Sequence, residues 1–170
     1  MLRKLSPWFV LAALALVAPL PGCGKDETKA EKPVEVLDKA SNGSPVAVKF
    51  VKFTGEGEER GMEVLLYNSG EKTAVAYNFL FRYYDANDTL LKAKAGTPFE
   101  SDTDFTSMSG NRYKCEPGKN QTLDIEGMIV AVPTDAVRAE ILASSVRALA
   151  ADGVSIEDWW SQENWSEWPQ

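Results

Sequence analysis

Two thiols, a row of alternating acids and a cluster of tryptophans are the side chains in this sequence with chemistry to offer. Cys23 and Cys115 are its only cysteines. A thiolate is a nucleophile and a soft metal ligand, but it needs a cationic or basic neighbour to form at neutral pH. The chain contains no histidine. That removes any Ser–His–Asp or Cys–His pair and the commonest ligand of zinc and copper. Four methionines, Met1 among them, are too few for a soft copper site.

Glu100, Asp102 and Asp104 alternate, so on a strand they would share one face, and three carboxylates can hold Ca²⁺. The plainer expectation is a solvated acidic loop. Asp85, Asn87 and Thr89 copy the opening of a calcium-binding loop but lack its central Gly and closing Glu. A carboxylate pair beside a sugar cleft would make a hydrolase, which stands as one alternative, although a compact domain of this size is not expected to offer such a cleft. The expectation is therefore a protein that is not an enzyme, with no catalytic residue, no metal and no cofactor.

Trp159, Trp160, Trp165 and Trp168 crowd residues 159–170 among Asp158, Glu163 and Glu167, and the remaining tryptophan is Trp8. One reading is packing: a tryptophan buries a large area, and two docked rings would hold a tail. The other is recognition, with the rings forming a platform for a sugar or a partner protein. A membrane-surface helix does not fit, because the tail is acidic and lacks Lys and Arg.

The N-terminus says how such a domain is held. Arg3 and Lys4 precede an apolar run over residues 8–20, closed by Leu20-Pro21-Gly22-Cys23. The run is shorter than the roughly 20 residues a spanning helix needs, and Pro19 and Pro21 interrupt it. A charged start, an apolar middle and a small residue before a cut site make a signal peptide. With Cys23 directly after Gly22, the pattern resembles a bacterial lipoprotein signal. The resemblance implies that residues 1–22 are removed, that Cys23 becomes the first residue and carries acyl chains such as palmitate, and that the protein sits in the cell envelope. Gly24 in place of Asp favours the outer membrane, facing periplasm or exterior. The lipid on Cys23 is then the membrane partner.

Formal net charge is −7, and loss of Arg3 and Lys4 with the signal makes the mature chain more acidic still. Nucleic acid, which calls for clustered Lys and Arg, is excluded as a partner. With Cys23 acylated, Cys115 has no disulfide partner in the chain and is expected as a buried small hydrophobe.

Residues 23–45 are rich in Lys, Glu, Asp, Pro and Ser and read as a disordered tether, with a short helix near residues 31–40 as a variant. Residues 46–158 carry strand signals. Residues 46–53 alternate and then change phase, which predicts a bulge near Phe50 and Val51. Residues 62–67 form a second strand. Residues 73–84 form the longest, with Val75, Tyr77, Phe79, Phe81 and Tyr83 on one parity. Residues 89–95 pair back as a hairpin, and Phe99 and Phe105 anchor a polar stretch. Residues 113–115 form a short strand. Residues 121–132 form another, with Gly127 at a bulge or close approach. Residues 137–149 fit strand and helix periods equally, and residues 154–160 form a last strand before the tail at 159–170. Seven or eight short strands predict a mainly β, antiparallel β-sandwich.

Phe81-Arg82-Tyr83-Tyr84-Asp85 resembles the signature of the FxLYD-type domains, with Tyr83 in place of the motif's Leu. These are Ig-like sandwiches of bacterial secreted proteins and lipoproteins. The resemblance covers about residues 45–150. It implies an Ig-like fold at a cell surface, a non-catalytic binding or scaffolding role, and a strand over 137–149. In the motif, Phe81 is expected to anchor the core, Tyr84 to bury its ring and direct its hydroxyl to a partner at the strand end, and Asp85 to accept backbone N–H groups and fix a turn. Two functions are carried forward: a lipid-anchored module that binds an envelope protein, and a glycan-binding lipoprotein using Trp159, Trp160, Trp165 and Trp168.

Overall fold

The computed structural model of the chain describes residues 33–111, 113–164 and 166–169. Cys23, the signal segment and Trp165 lie outside the described residues.

Seven strands form two antiparallel sheets. The first contains β1 (Val46–Thr54), β2 (Gly61–Asn68) and β5 (Asn120–Ile125), in the order β1-β2-β5. The second contains β3 (Ala74–Tyr84), β4 (Thr106–Gly110), β6 (Arg138–Leu149) and β7 (Ile156–Ser161), in the order β4-β3-β6-β7. The chain crosses from one sheet to the other after β2, β4 and β5, which makes an Ig-like sandwich rather than a meander.

Side-chain parity explains the two layers. Tyr77, Phe79, Phe81 and Tyr83 point inward from β3 and meet Val64, Leu66, Leu123 and Ile141, all buried. Strand β3 is central, so most of its outward positions are buried as well, as expected of a strand covered on both faces. The bulge in β1 falls between Phe50 and Lys52, where the register with β2 shifts by one at Val51. Without that extra residue the phase change would leave Phe53, whose tilted ring lies 4.7 Å from that of Phe50, on the solvent side. Residues 138–149, ambiguous by period, pair with β3 along nearly its whole length.

Several expected elements are absent. Residues 89–95 do not form a hairpin strand; a single bridge joins Leu90 to Tyr84 and the chain then turns. Residues 106–110, the end of the polar stretch for which no strand was expected, pair with β3. Phe99 does not join the core: it is 70 % exposed, with the Lys94 ammonium 5.8 Å from its ring centroid. The strand expected over 113–115 reduces to one bridge between Ala74 and Cys115. Strand β5 ends at Ile125, and a one-turn helix α1 (Gly127–Val130) follows. Gly127 does mark a close approach: a Cβ there would lie 2.5 Å from the Arg60 carbonyl oxygen. Residues 33–40 form no helix; residues 35–40 border a groove with β1 and β6. The division expected between residues 158 and 159 falls inside β7.

Within the motif, Phe81 is fully buried. Asp85 accepts the N–H groups of Asn87 and Thr89, each at 2.8 Å. Tyr84 departs from expectation. Parity sends it to the outer face, where its hydroxyl bonds Glu140 at 2.9 Å and its ring lies 3.8 Å beneath the Arg138 guanidinium. The buried tyrosine is its neighbour Tyr83, which takes the inward place of the motif's Leu.

Candidate functional site

The outer face of the four-stranded sheet carries the polar candidate residues. Because Tyr77, Phe79, Phe81 and Tyr83 point inward, Asn78, Leu80 and Arg82 point outward from β3. Their partners on β6 are Ser145, Leu142 and Glu140. Leu80 and Leu142 are nevertheless buried, and the chain beyond β7 returns to this face at Arg82 and Ser144. Trp168 lies 4.4 Å from the Arg82 guanidinium, whose Nη2 pairs with Asp104 at 2.8 Å. A cation between a ring and a carboxylate is held on two sides.

Gln162 fastens this strap. Its N–H donates to the Ser144 carbonyl at 3.0 Å. Its side-chain amide donates to the carbonyls of Asn164 and Glu167 at 2.7 and 2.6 Å and accepts from Asn42 at 3.2 Å. Asn42 in turn donates to the Ala143 carbonyl at 2.9 Å. The strap and the segment entering β1 are thus tied to the same stretch of β6.

Trp159 and Trp160 are strand residues. The β6–β7 register shifts between Val146 and Arg147, so Trp159 and Trp160 both oppose Val146. A bulge turns two successive side chains toward one side, and both rings pack half-buried against the core. Trp159 closes the end of the sandwich: a Cβ on Gly70 would lie 2.5 Å from its ring and 3.0 Å from Pro45. Of the four expected binding residues, two therefore pack on the core edge, Trp168 pins the strap, and Trp165 is outside the described residues.

Beside the strap a cleft of about 440 Å³ opens on the same sheet face. Asn78, Ser109, Ser145, Arg147, Asp158 and Trp160 line it. It continues toward Gly110 and Asn111 as a hollow of about 360 Å³. The polar groups are held in place. Asn78 donates to Ser144 at 2.7 Å and accepts from Ser109 at 2.9 Å, and Arg147 pairs with Asp158 at 2.9 Å. Amides, hydroxyls and an ion pair beside an indole suit hydrogen-bonded recognition. Sequence reading missed Asn78, Arg147 and Gln162, since a polar residue on a strand carries no mark of which neighbours the register will bring to it.

The other candidates are dispersed. Glu100 accepts the Gly96 N–H, Asp102 pairs with Lys92 and Asp104 with Arg82. Among the described residues no three acids or cysteines group as metal ligands. Cys115 is buried and its thiol donates to the Lys119 carbonyl at 3.3 Å. Burial pushes the thiol up to about 11, so it stays protonated at neutral pH and is a poor nucleophile.

No protein-family model and no curated protein matches the chain. Among solved structures it is similar to a DUF1425 family member from Shewanella sp. pv-4, at 18 % identity and a TM-score of 0.34 over 63 % of this chain and 83 % of that one. It is also similar to a hypothetical protein from Peptoclostridium difficile 630, at 13 % identity and a TM-score of 0.45 over 72 % and 89 %. Likenesses this loose transfer no function.

Proposed function

We propose that the protein is a lipid-anchored bacterial envelope protein whose Ig-like sandwich is a non-catalytic binding module. The signal-and-Cys23 pattern supports the anchor, and the likeness of residues 81–85 to the FxLYD signature supports an envelope role. The observation that carries binding is the cleft on the outer sheet face, where Asn78, Ser109 and the Arg147–Asp158 pair are prepositioned beside Trp160. Rigid polar groups around an aromatic edge give specificity at low ordering cost. The preferred ligand is an envelope protein that presents a polar loop to this face.

In-cell crosslinking followed by pull-down, comparing wild type with Arg147→Glu, tests the reading. Arg147 is half exposed, and a thermal melt checks that the variant is folded before the partner lists are compared. Loss of specific partners is the expected result, and an identical partner list would remove the cleft from the binding surface. A second reading, glycan binding, is favoured by the hydroxyl and amide lining around Trp160. It requires quenching or a shift of tryptophan emission on titration with cell-wall fragments, and a flat titration at millimolar sugar rules it out.

A further inference from the structure

Asp85, Asn87 and Thr89 do not complete a calcium loop, but their order carries a second chemistry. Asn87-Asp88-Thr89 is an Asn-x-Thr triplet, the acceptor pattern for N-linked sugar on a surface loop of an exported protein. The chain contains three more such triplets: Asn42-Gly43-Ser44, Asn120-Gln121-Thr122 and Asn164-Trp165-Ser166. A triplet alone says little, and the structure separates the four.

The side-chain amide of Asn42 is committed to the Ala143 carbonyl at 2.9 Å and to Gln162 at 3.2 Å. A sugar on that nitrogen would be wedged between β6 and the strap. Asn120 is a strand residue opposite Tyr67, and its side-chain oxygen is buried. Asn164 lies inside the strap, where its carbonyl accepts from Gln162 and its amide donates to Glu167 at 3.4 Å.

Asn87 differs from all three. It is exposed in the turn between the end of β3 and the bridge at Leu90. The backbone of that turn is satisfied without it. The Asp85 carboxylate accepts the N–H groups of Asn87 and Thr89. The Asp88 N–H donates to the Asp85 carbonyl and the Asp85 N–H to the Thr89 carbonyl, each at 3.1 Å, and Asp88 pairs with Arg138. Among the described residues the Asn87 amide approaches only the Asp85 carboxylate of its own turn. A substituent on Nδ2 therefore extends into solvent and displaces no tertiary contact. Asp85 also stands two places before Asn87, where the other triplets have Ala40, Gly118 and Gln162. A carboxylate there gives a cationic acceptor groove a charge to hold besides the Thr89 hydroxyl.

We infer that Asn87 is an N-glycosylation site, modified by an envelope oligosaccharyltransferase from a lipid-pyrophosphate-linked oligosaccharide. The inference rests on the reading of the chain as exported, because donor and transferase act outside the cytoplasm. In the step, Asn87 Nδ2 attacks the anomeric carbon of the first sugar and a C–N bond forms. The bond from that carbon to the pyrophosphate oxygen breaks, and its electron pair leaves with the lipid pyrophosphate. The amide nitrogen gives one proton to a base on the transferase and keeps the other. In the folded turn Asp85 is occupied by the N–H groups of Asn87 and Thr89, so the transferase reads it before the turn closes, during export.

The test takes the full chain from the envelope of its own host. Trypsin cuts after Lys and Arg and places the four triplets on separate peptides, residues 40–49, 83–92, 120–138 and 148–170. Mass spectrometry with electron-transfer fragmentation, which leaves a sugar on its residue, should find whole sugar units on Asn87 and the other three triplets bare. Thr89→Val should abolish the added mass, and Thr89→Ser should retain part of it. A peptide 83–92 found only bare overturns the inference, as does sugar confined to another triplet or undiminished in Thr89→Val. Sugar that survives Asn87→Gln is O-linked to Thr89 and overturns the assignment as well. Fractionation of the same cells separates the two failures. Wild type recovered from the cytoplasm overturns export and the inference together, whereas a bare peptide from envelope-bound protein overturns the Asn87 site alone.

Discussion

Asp85 shows how one carboxylate organises a connection. It is half-buried, and backbone N–H groups from Thr89 and then Asn87 hold its carboxyl below the ordinary 3.8. A depressed folded value means that the contribution to stability is present above the unfolded value and is lost as pH falls through the folded one. Asp85→Asn should therefore lower the melting temperature at pH 7 and flatten its fall below about pH 4, as read by thermal melts across that range. Cys115 gives a second residue-scale prediction. Its thiol should resist iodoacetamide at pH 8 in the native state and react at once in denaturant, because burial both raises its pKa and blocks access. Trp168→Ala should cost about 0.5–1 kcal/mol by removing the cation–π contact to Arg82, measurable by chemical denaturation.

At the scale of elements, the junction of β5, α1 and the β1–β2 turn is the least tolerant place in the fold. Gly127 packs against the backbone of Glu59 and Arg60 at 2.5 Å from an ideal Cβ. Backbone cannot rotate aside as a side chain can. Gly127→Ala should destabilise by about 1–3 kcal/mol, visible as a lower denaturant midpoint. Strand β3 shows what a pattern reading captures. Its inward parity, from Tyr77 to Tyr83, was legible because burial repeats every second residue. Strand β4 and the turns at 92–105 were not. Residues 106–110 alternate only weakly, and they become a strand because the register with β3 sets Met108 opposite Phe79.

At the scale of the whole molecule, the second sheet is closed on its outer side by a strap rather than by another layer. Removing residues 162–170 should uncover Leu80 and Leu142. The expected outcome is a loss of about 1–3 kcal/mol, using the value of one or two exposed Leu side chains, together with new binding of a hydrophobic dye. A truncated chain of unchanged stability would mean that the strap covers nothing of consequence. The candidate cleft also belongs to this scale, since its lining comes from β3, β4, β6 and β7.

The sequence by itself determined the fold class and the bulge in β1. It also determined the turn at Asp85, the close approach at Gly127 and the burial of Cys115. Each is a local matter of periodicity, turn chemistry or the cost of exposing an apolar group. The tertiary structure decided where the tryptophans go, which of Tyr83 and Tyr84 faces the core, and which polar residues meet on the sheet face. Those outcomes depend on strand register and on bulges in β6 and β7, where an offset of one residue exchanges the two faces of a strand.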